Sequence, residues 1–210
     1  MAGTMSQADL VADFKSALHD SASIFNAPSD ADFTRMLDAA ALDFGRVRHR
    51  TLIGSVTLVA DQAEYAAPAD MISPKLSMWG VGERTASRPW SSTWPGRLPR
   101  MSMAGDPGSA LLILTPPPTQ KQITLLKSTF KFYYFAGHKI DANAANTTIR
   151  AGDRALLLLR AVAEAMRELA SRNVTKASIS GAGLTSSPKN GTPAALYEQL
   201  MREFEARAAA

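Results

Sequence analysis

Apolar residues recur every three or four positions near the N-terminus. Leu10, Val11, Phe14, Ala17 and Leu18 share one helical face, with Ser6 or Gln7 placed to start the helix and Asp9 in its first turn. Asn26-Ala27-Pro28 breaks the pattern. A second helix is predicted from Ser29 or Asp30, both good N-caps, with Phe33, Leu37, Ala40, Ala41 and Phe44 as its stripe. Gly45 marks its end, and Arg46, Arg48 and Arg50 sit where the helix dipole favours cations. Two short helices bury little surface, so they are expected to dock on the sheet or on a neighbouring subunit.

The period then changes to two. Leu52, Val56, Thr57 and Leu58 belong to a β-branched, alternating run, Ala60-Asp61-Gln62-Ala63 is a turn, and Glu64 to Ala67 returns. This predicts a hairpin stopped by Pro68, which has no N–H to donate. From Ala69 to Gly108 the periodicity is weak, apart from a candidate strand over Ile72 to Trp79. That segment holds Trp79, Trp90 and Trp94 and five prolines. A long irregular segment in a compact domain is more often an interface loop than a spacer, although the Trp residues would equally serve to cap a core. Ala110 to Thr115 is a short apolar strand, Pro116-Pro117-Pro118 is a rigid turn, and Gln122 to Phe135 reads as one long or bent strand pairing back on it.

The last third is helical. Asp141 to Thr148 is a loop. Leu156, Leu158, Leu159, Val162, Met166 and Leu169 give the helix from about Asp153 to Arg172 a broad buried face. Arg160, Glu164, Arg167, Glu168 and Arg172 line a charged one, read as solvated ion pairs. Residues 173–192 are rich in Gly, Ser, Thr and Asn and read as a flexible linker. Thr192-Pro193 opens a final helix over 193–210, with Leu196, Leu200 and Phe204 at four-residue spacing beside Tyr197 and Met201. A short isolated helix is marginal in water, so this stripe must fold back on its own domain or dock in a groove on another chain.

The predicted class is α+β: a helical bundle, made of the N-terminal helices and the helix over 153–172, packed with a small antiparallel β core and carrying a tethered C-terminal helix. Residues 1–172 are expected to form a single core.

Charge refines this picture. The net charge is +4, but Arg84, Arg88, Arg97, Arg100, Lys121, Lys127 and Lys131 face only Asp106 across their span, which is +6 by itself. Such a segment suits nucleic acid or an acidic protein surface, or is simply a solvated basic loop. The 46% hydrophobic content fits a globular chain, and no run reaches the roughly 18 apolar residues of a membrane span. There is no secretory signal pattern.

Catalytic signals are weak or absent. The chain has no cysteine, and His19, His49 and His138 lie in no metal-ligand spacing. Gly181-Ala-Gly183 and Lys189-Asn-Gly191 are in the wrong order for a phosphate loop. No catalytic residue, cofactor site or metal site is expected, and the chain is not expected to be an enzyme.

Four stretches carry a resemblance. They are Asp32 to Leu37 continuing through Ala41 to Arg46; Val59 to Tyr65 with Pro68-Ala69-Asp70; Leu112 to Pro118 followed by the aromatic strand to Tyr134; and the helix Arg154 to Arg172. In this order they resemble the head-to-tail adaptor (connector) proteins of tailed bacteriophages. The resemblance implies a structural virion protein assembled in the host cytoplasm, with no cofactor. It implies a homo-oligomeric ring, commonly a dodecamer, beneath the portal protein ring, with a neck, stopper or tail component below and DNA passing through its channel. It also implies that the C-terminal helix grips the portal, through Leu196, Tyr197, Leu200, Met201 and Phe204. Arg84, Arg88, Arg97, Arg100, Lys127 and Lys131 become candidate contacts for channel DNA, without sequence readout, or for the neck. The alternative is a nucleic-acid-binding protein that grips single strands through the basic, aromatic segment 79–131.

Overall fold

The computed structural model describes residues 4–83, 88–105, 109–173 and 192–209. The chain divides into two compact units, one formed by Met1–Arg48 with His138–Ala210 and the other by His49–Gly137. The α+β class holds. Each unit has its own cluster of buried apolar residues.

The first unit is helical. Helix α1 (Gln7–Leu18) is capped by the Ser6 side chain, which accepts from the Asp9 N–H. Helix α2 (Ala31–Val47) runs past Gly45, so that glycine does not end it. Asp30 precedes α2 in a left-handed conformation without a side-chain cap bond and pairs instead with Lys15 at 2.6 Å. Helices α4 (Arg154–Asn173) and α5 (Pro193–Ala209) complete the unit. Phe14, Met36, Leu37, Phe44 and Leu157 are fully buried between these helices, and Phe14 meets Phe33 edge to face with ring centroids 5.6 Å apart.

Among the described residues the second unit holds six strands: β1 (Arg50–Thr57), β2 (Glu64–Ala66), β3 (Met71–Ser77), β4 (Arg100–Ala104), β5 (Leu111–Thr115) and β6 (Thr129–Ala136). They form two three-stranded antiparallel sheets, ordered β1-β6-β3 and β2-β5-β4. Phe130, Phe132 and Tyr134 of the first sheet and Leu112 and Leu114 of the second share one core. Gly54 lies opposite Phe132, and a Cβ there would fall 2.6 Å from its ring. The glycine lets the aromatic side chain lie against the strand.

Three expectations about the strands are corrected. The hairpin over 52–67 does not form: β1 pairs with β6, and β2 pairs with β5 in the other sheet. The intervening turn redirects the chain between sheets and is pinned by Tyr65. Its hydroxyl accepts from the Val59 N–H at 3.2 Å and lies 3.0 Å from the Gln62 carbonyl. The single strand over 122–135 is instead a helix, α3 (Gln120–Leu126), followed by β6, and β6 does not pair with β5. A capping box decides this. Thr119 accepts from the Gln122 N–H, and the Gln122 side chain accepts from the Thr119 N–H at 2.9 Å. Finally, the irregular segment contains β4, whose Met101 and Met103 pack toward the core.

The charged face of α4 is also corrected. Arg160 and Glu164 are buried rather than solvated. The same face stays open at Arg167 and Arg172, whose side chains are exposed.

Candidate partner-binding surfaces

The basic segment is spread over a structured frame. Arg84 lies outside the described residues. Arg88 is exposed and its guanidinium sits over the Trp90 ring, 5.8 Å from the centroid, while Trp90 itself is 79% exposed. Arg97 and Arg100 are exposed, Arg100 at the start of β4. The three tryptophans therefore do different things. Trp79 caps the core, buried, with its indole N–H donating to the Lys127 carbonyl at 2.8 Å. Trp94 is half-buried, and Trp90 projects.

Gln122 fixes this loop. Its carbonyl oxygen closes the α3 capping box, and its amide Nε2 donates to the Arg97 carbonyl at 2.8 Å. Pro95 and Pro99 are buried beside it. Nearer Trp90, the Ser91 N–H donates to the Arg88 carbonyl at 3.1 Å and the Trp94 N–H to the Ser91 carbonyl at 2.9 Å, and the aromatic–cation pair faces outward.

Lys127 and Lys131 lie exposed near a shallow cavity lined by Met78, Gly80, Glu83 and Leu126. Lys127 donates to Glu83 at 3.0 Å, and this bond holds the Glu83 carboxyl below its usual range. One of the expected DNA-facing cations is thus partly neutralised within the chain.

The C-terminal helix packs on its own unit. Thr192 caps it, accepting from the Ala195 N–H at 3.2 Å. Phe204 and Ala208 enter the helical core, and Tyr197, Leu200 and Met201 are half-buried against it. Arg48 reaches the Arg207 carbonyl at the far end. Of the five residues assigned to a portal contact, Leu196 remains the most open, at 36%. Fold-back and docking were alternatives for this stripe, and Phe204 is used in fold-back here. Residues 174–191, most of the expected linker, lie outside the described residues, and α4 continues through Asn173.

Sequence reasoning misses a set of buried ion pairs on α4. Arg160 donates through Nε to Asp43 of α2 at 3.0 Å and through Nη1 to Glu164 at 3.1 Å, and Glu164 also receives Arg167. Arg154 pairs with Asp13 of α1 at 2.6 Å and reaches the Thr4 and Asp9 carbonyls. Burying a charge is costly unless it is paired and hydrogen-bonded, and each of these charges is. The readable signal was spacing: Arg160 and Glu164 stand one turn apart on α4.

Around Glu168 the surroundings are wetter. Burial pushes its carboxyl up, but hydrogen bonds from Arg35 at 2.7 Å and Arg172 at 2.6 Å outweigh this and leave it below its ordinary value.

Among the described residues no group of three or more His, Cys, Asp or Glu is placed to hold a metal ion. His138 is bound within the first unit, 2.9 Å from the Arg48 carbonyl and 3.2 Å from the Thr148 hydroxyl. No helix among them is long and apolar enough to cross a membrane. Compared with known protein families, residues 5–207 match the model described as SU10 adaptor protein. No curated protein matches the chain.

Proposed function

We propose a ring-forming role from one premise: this chain belongs to the SU10 adaptor protein family, a family of phage head-to-tail adaptors. Its role is structural, as a head-tail adaptor of the virion. In the finer reading, copies of the chain close into a ring beneath the portal, a dodecamer in the likeness of such adaptors. The ring joins the capsid to a neck or tail component, and DNA passes through it. The family match over 5–207 carries this reading.

The surfaces divide accordingly. The open side of α5, with Leu196 and the exposed parts of Tyr197, Leu200 and Met201, faces the portal, while Phe204 holds the helix in place. The loop bearing Arg88 and Trp90 meets the neck component. Aromatic and arginine side chains dominate interface energetics. Arg97 and Arg100 contact DNA phosphates without reading sequence.

Negative-stain microscopy of the full chain mixed with portal rings tests this. Rings stacked coaxially on the portal are expected. A chain that stays apart from the portal overturns the proposal. The projecting Arg88–Trp90 pair supports a second reading, single-strand binding. That reading requires the monomer to bind single-stranded DNA, with affinity falling steeply as salt rises and lost in Trp90→Ala.

A further inference from the structure

The β1-β6-β3 sheet has a second face that its core does not use. Residues directly opposite in an antiparallel pair point to the same side, so the register defines rows. Ile53, Tyr133 and Leu76 form one row, and Thr51, Phe135 and Ser73 the next. Ile53 is 65% exposed and Leu76 56%, and Tyr133 and Phe135 are half-buried. Lys75 lies across the second row, with its ammonium 4.9 Å from the Phe135 ring centroid and 3.5 Å from the Thr51 hydroxyl. Lys131 extends the same face one row on, opposite Ser55. The rows contain an apolar centre and two lysines but no carboxylate. A contiguous apolar patch with a charged rim marks an interaction site.

Charge indicates what covers it. Residues 49–137 carry nine basic and five acidic residues, which accounts for the whole net charge of +4, while the helical unit is balanced. Pairing this face with itself in a second copy would set lysine against lysine. The complementary surface must offer an apolar side chain beside an uncompensated carboxylate. On the outer stripe of α2, Leu42 is 61% exposed and Asp38 stands one turn before it. Arg35 and Arg46 of that stripe are engaged by Glu168 and Asp43. Asp38 has no ion pair among the described residues, and loss of water around it raises its carboxyl above the usual range. The other large apolar residues exposed on the α-helices fit less well. Val47 has Asp43 one turn away, already paired with Arg160, and Leu196 has no carboxylate one turn away in either direction.

We infer that the Ile53–Tyr133–Leu76 face of one protomer packs on the Leu42–Asp38 stripe of the next, with Lys75 meeting Asp38. Different surfaces meet, so the contact is heterologous, and its repetition, where the rotation closes, builds a ring rather than a symmetric dimer. The inference rests on the adaptor reading and names the surfaces by which its copies join.

The absence of cysteine makes a direct test available. Particles are assembled with an equal mixture of Leu42→Cys and Ile53→Cys chains and oxidised. Both sites are exposed, so folding is expected to be undisturbed. Disulfide-linked dimers are expected from the mixture and from neither variant alone, and a chain carrying both substitutions should give a ladder of covalent multimers. Lys75→Glu should lower the dimer yield roughly two- to fivefold, and Asp38→Lys added to it should restore the yield. If wild-type particles show a ring of this protein at the head-tail junction but the mixture gives no cross-link, the inference is overturned and the adaptor reading stands. Cross-links in Ile53→Cys alone also overturn it, in favour of sheet-to-sheet packing. Wild-type particles without such a ring overturn the adaptor reading and the inference together.

Discussion

At the scale of single residues, the fold depends on a few side chains whose roles sequence patterns disguise. Gly54 sits within an alternating strand where a glycine would ordinarily weaken pairing, yet the Phe132 ring occupies the space its side chain would take. Gly54→Ala should cost about 1–3 kcal/mol by overpacking, measured as a lower urea midpoint with unchanged slope. Glu168 gives a pH signature. Its folded-state pKa lies below its ordinary value near 4.5, so the folded state binds fewer protons than the unfolded one around that pH. The stabilisation is therefore complete above about 4.5 and lost as pH falls through the lowered folded value. Urea unfolding at pH 7 and at successively lower pH should show wild type losing more stability on acidification than Glu168→Gln. The ion partners were visible as i,i+4 spacing on α4, but Arg35 comes from 133 residues away, and no local pattern announces it.

At the scale of elements, long periodic helices were legible and short elements were not. α1, α2, α4 and α5 each carry a stripe that repeats over several turns, so small uncertainties at their ends leave the element intact. α3 spans Gln120–Leu126, too short for periodicity to outweigh the alternation of Ile123 and Leu125 with their polar neighbours. Its signal was the Thr119 and Gln122 capping pair. Met101 and Met103 of β4 alternate correctly, but the prolines before them hide the strand. Pairing was the least legible property, because β1 and β2 look like a hairpin and only the turn pinned by Tyr65 sends them to different sheets. For α5, the stripe was evident but its destination was not. Phe204→Ala should cost about 3–5 kcal/mol if the helix relies on that anchor. Protease cleavage within 193–209 should then become faster while sites in residues 49–137 are cut as before.

At the scale of the whole molecule, composition and order gave the class and the adaptor resemblance. They did not give the division into two cores, since hydrophobic content is similar on both sides of each boundary. Surface chemistry was partly legible. The basic segment was visible, but Trp79, Trp90 and Trp94 could not be told apart, because burial depends on partners such as the Lys127 carbonyl. The chain passes between the two units twice, before His49 and after Gly137. On the strand side the two passages are adjacent, with Arg50 opposite Ala136 and reaching the Gly137 carbonyl. On the helical side, His138 is bonded to the Arg48 carbonyl. The inserted strands therefore have neighbouring ends, so they can be exchanged for another such module without re-routing the helices.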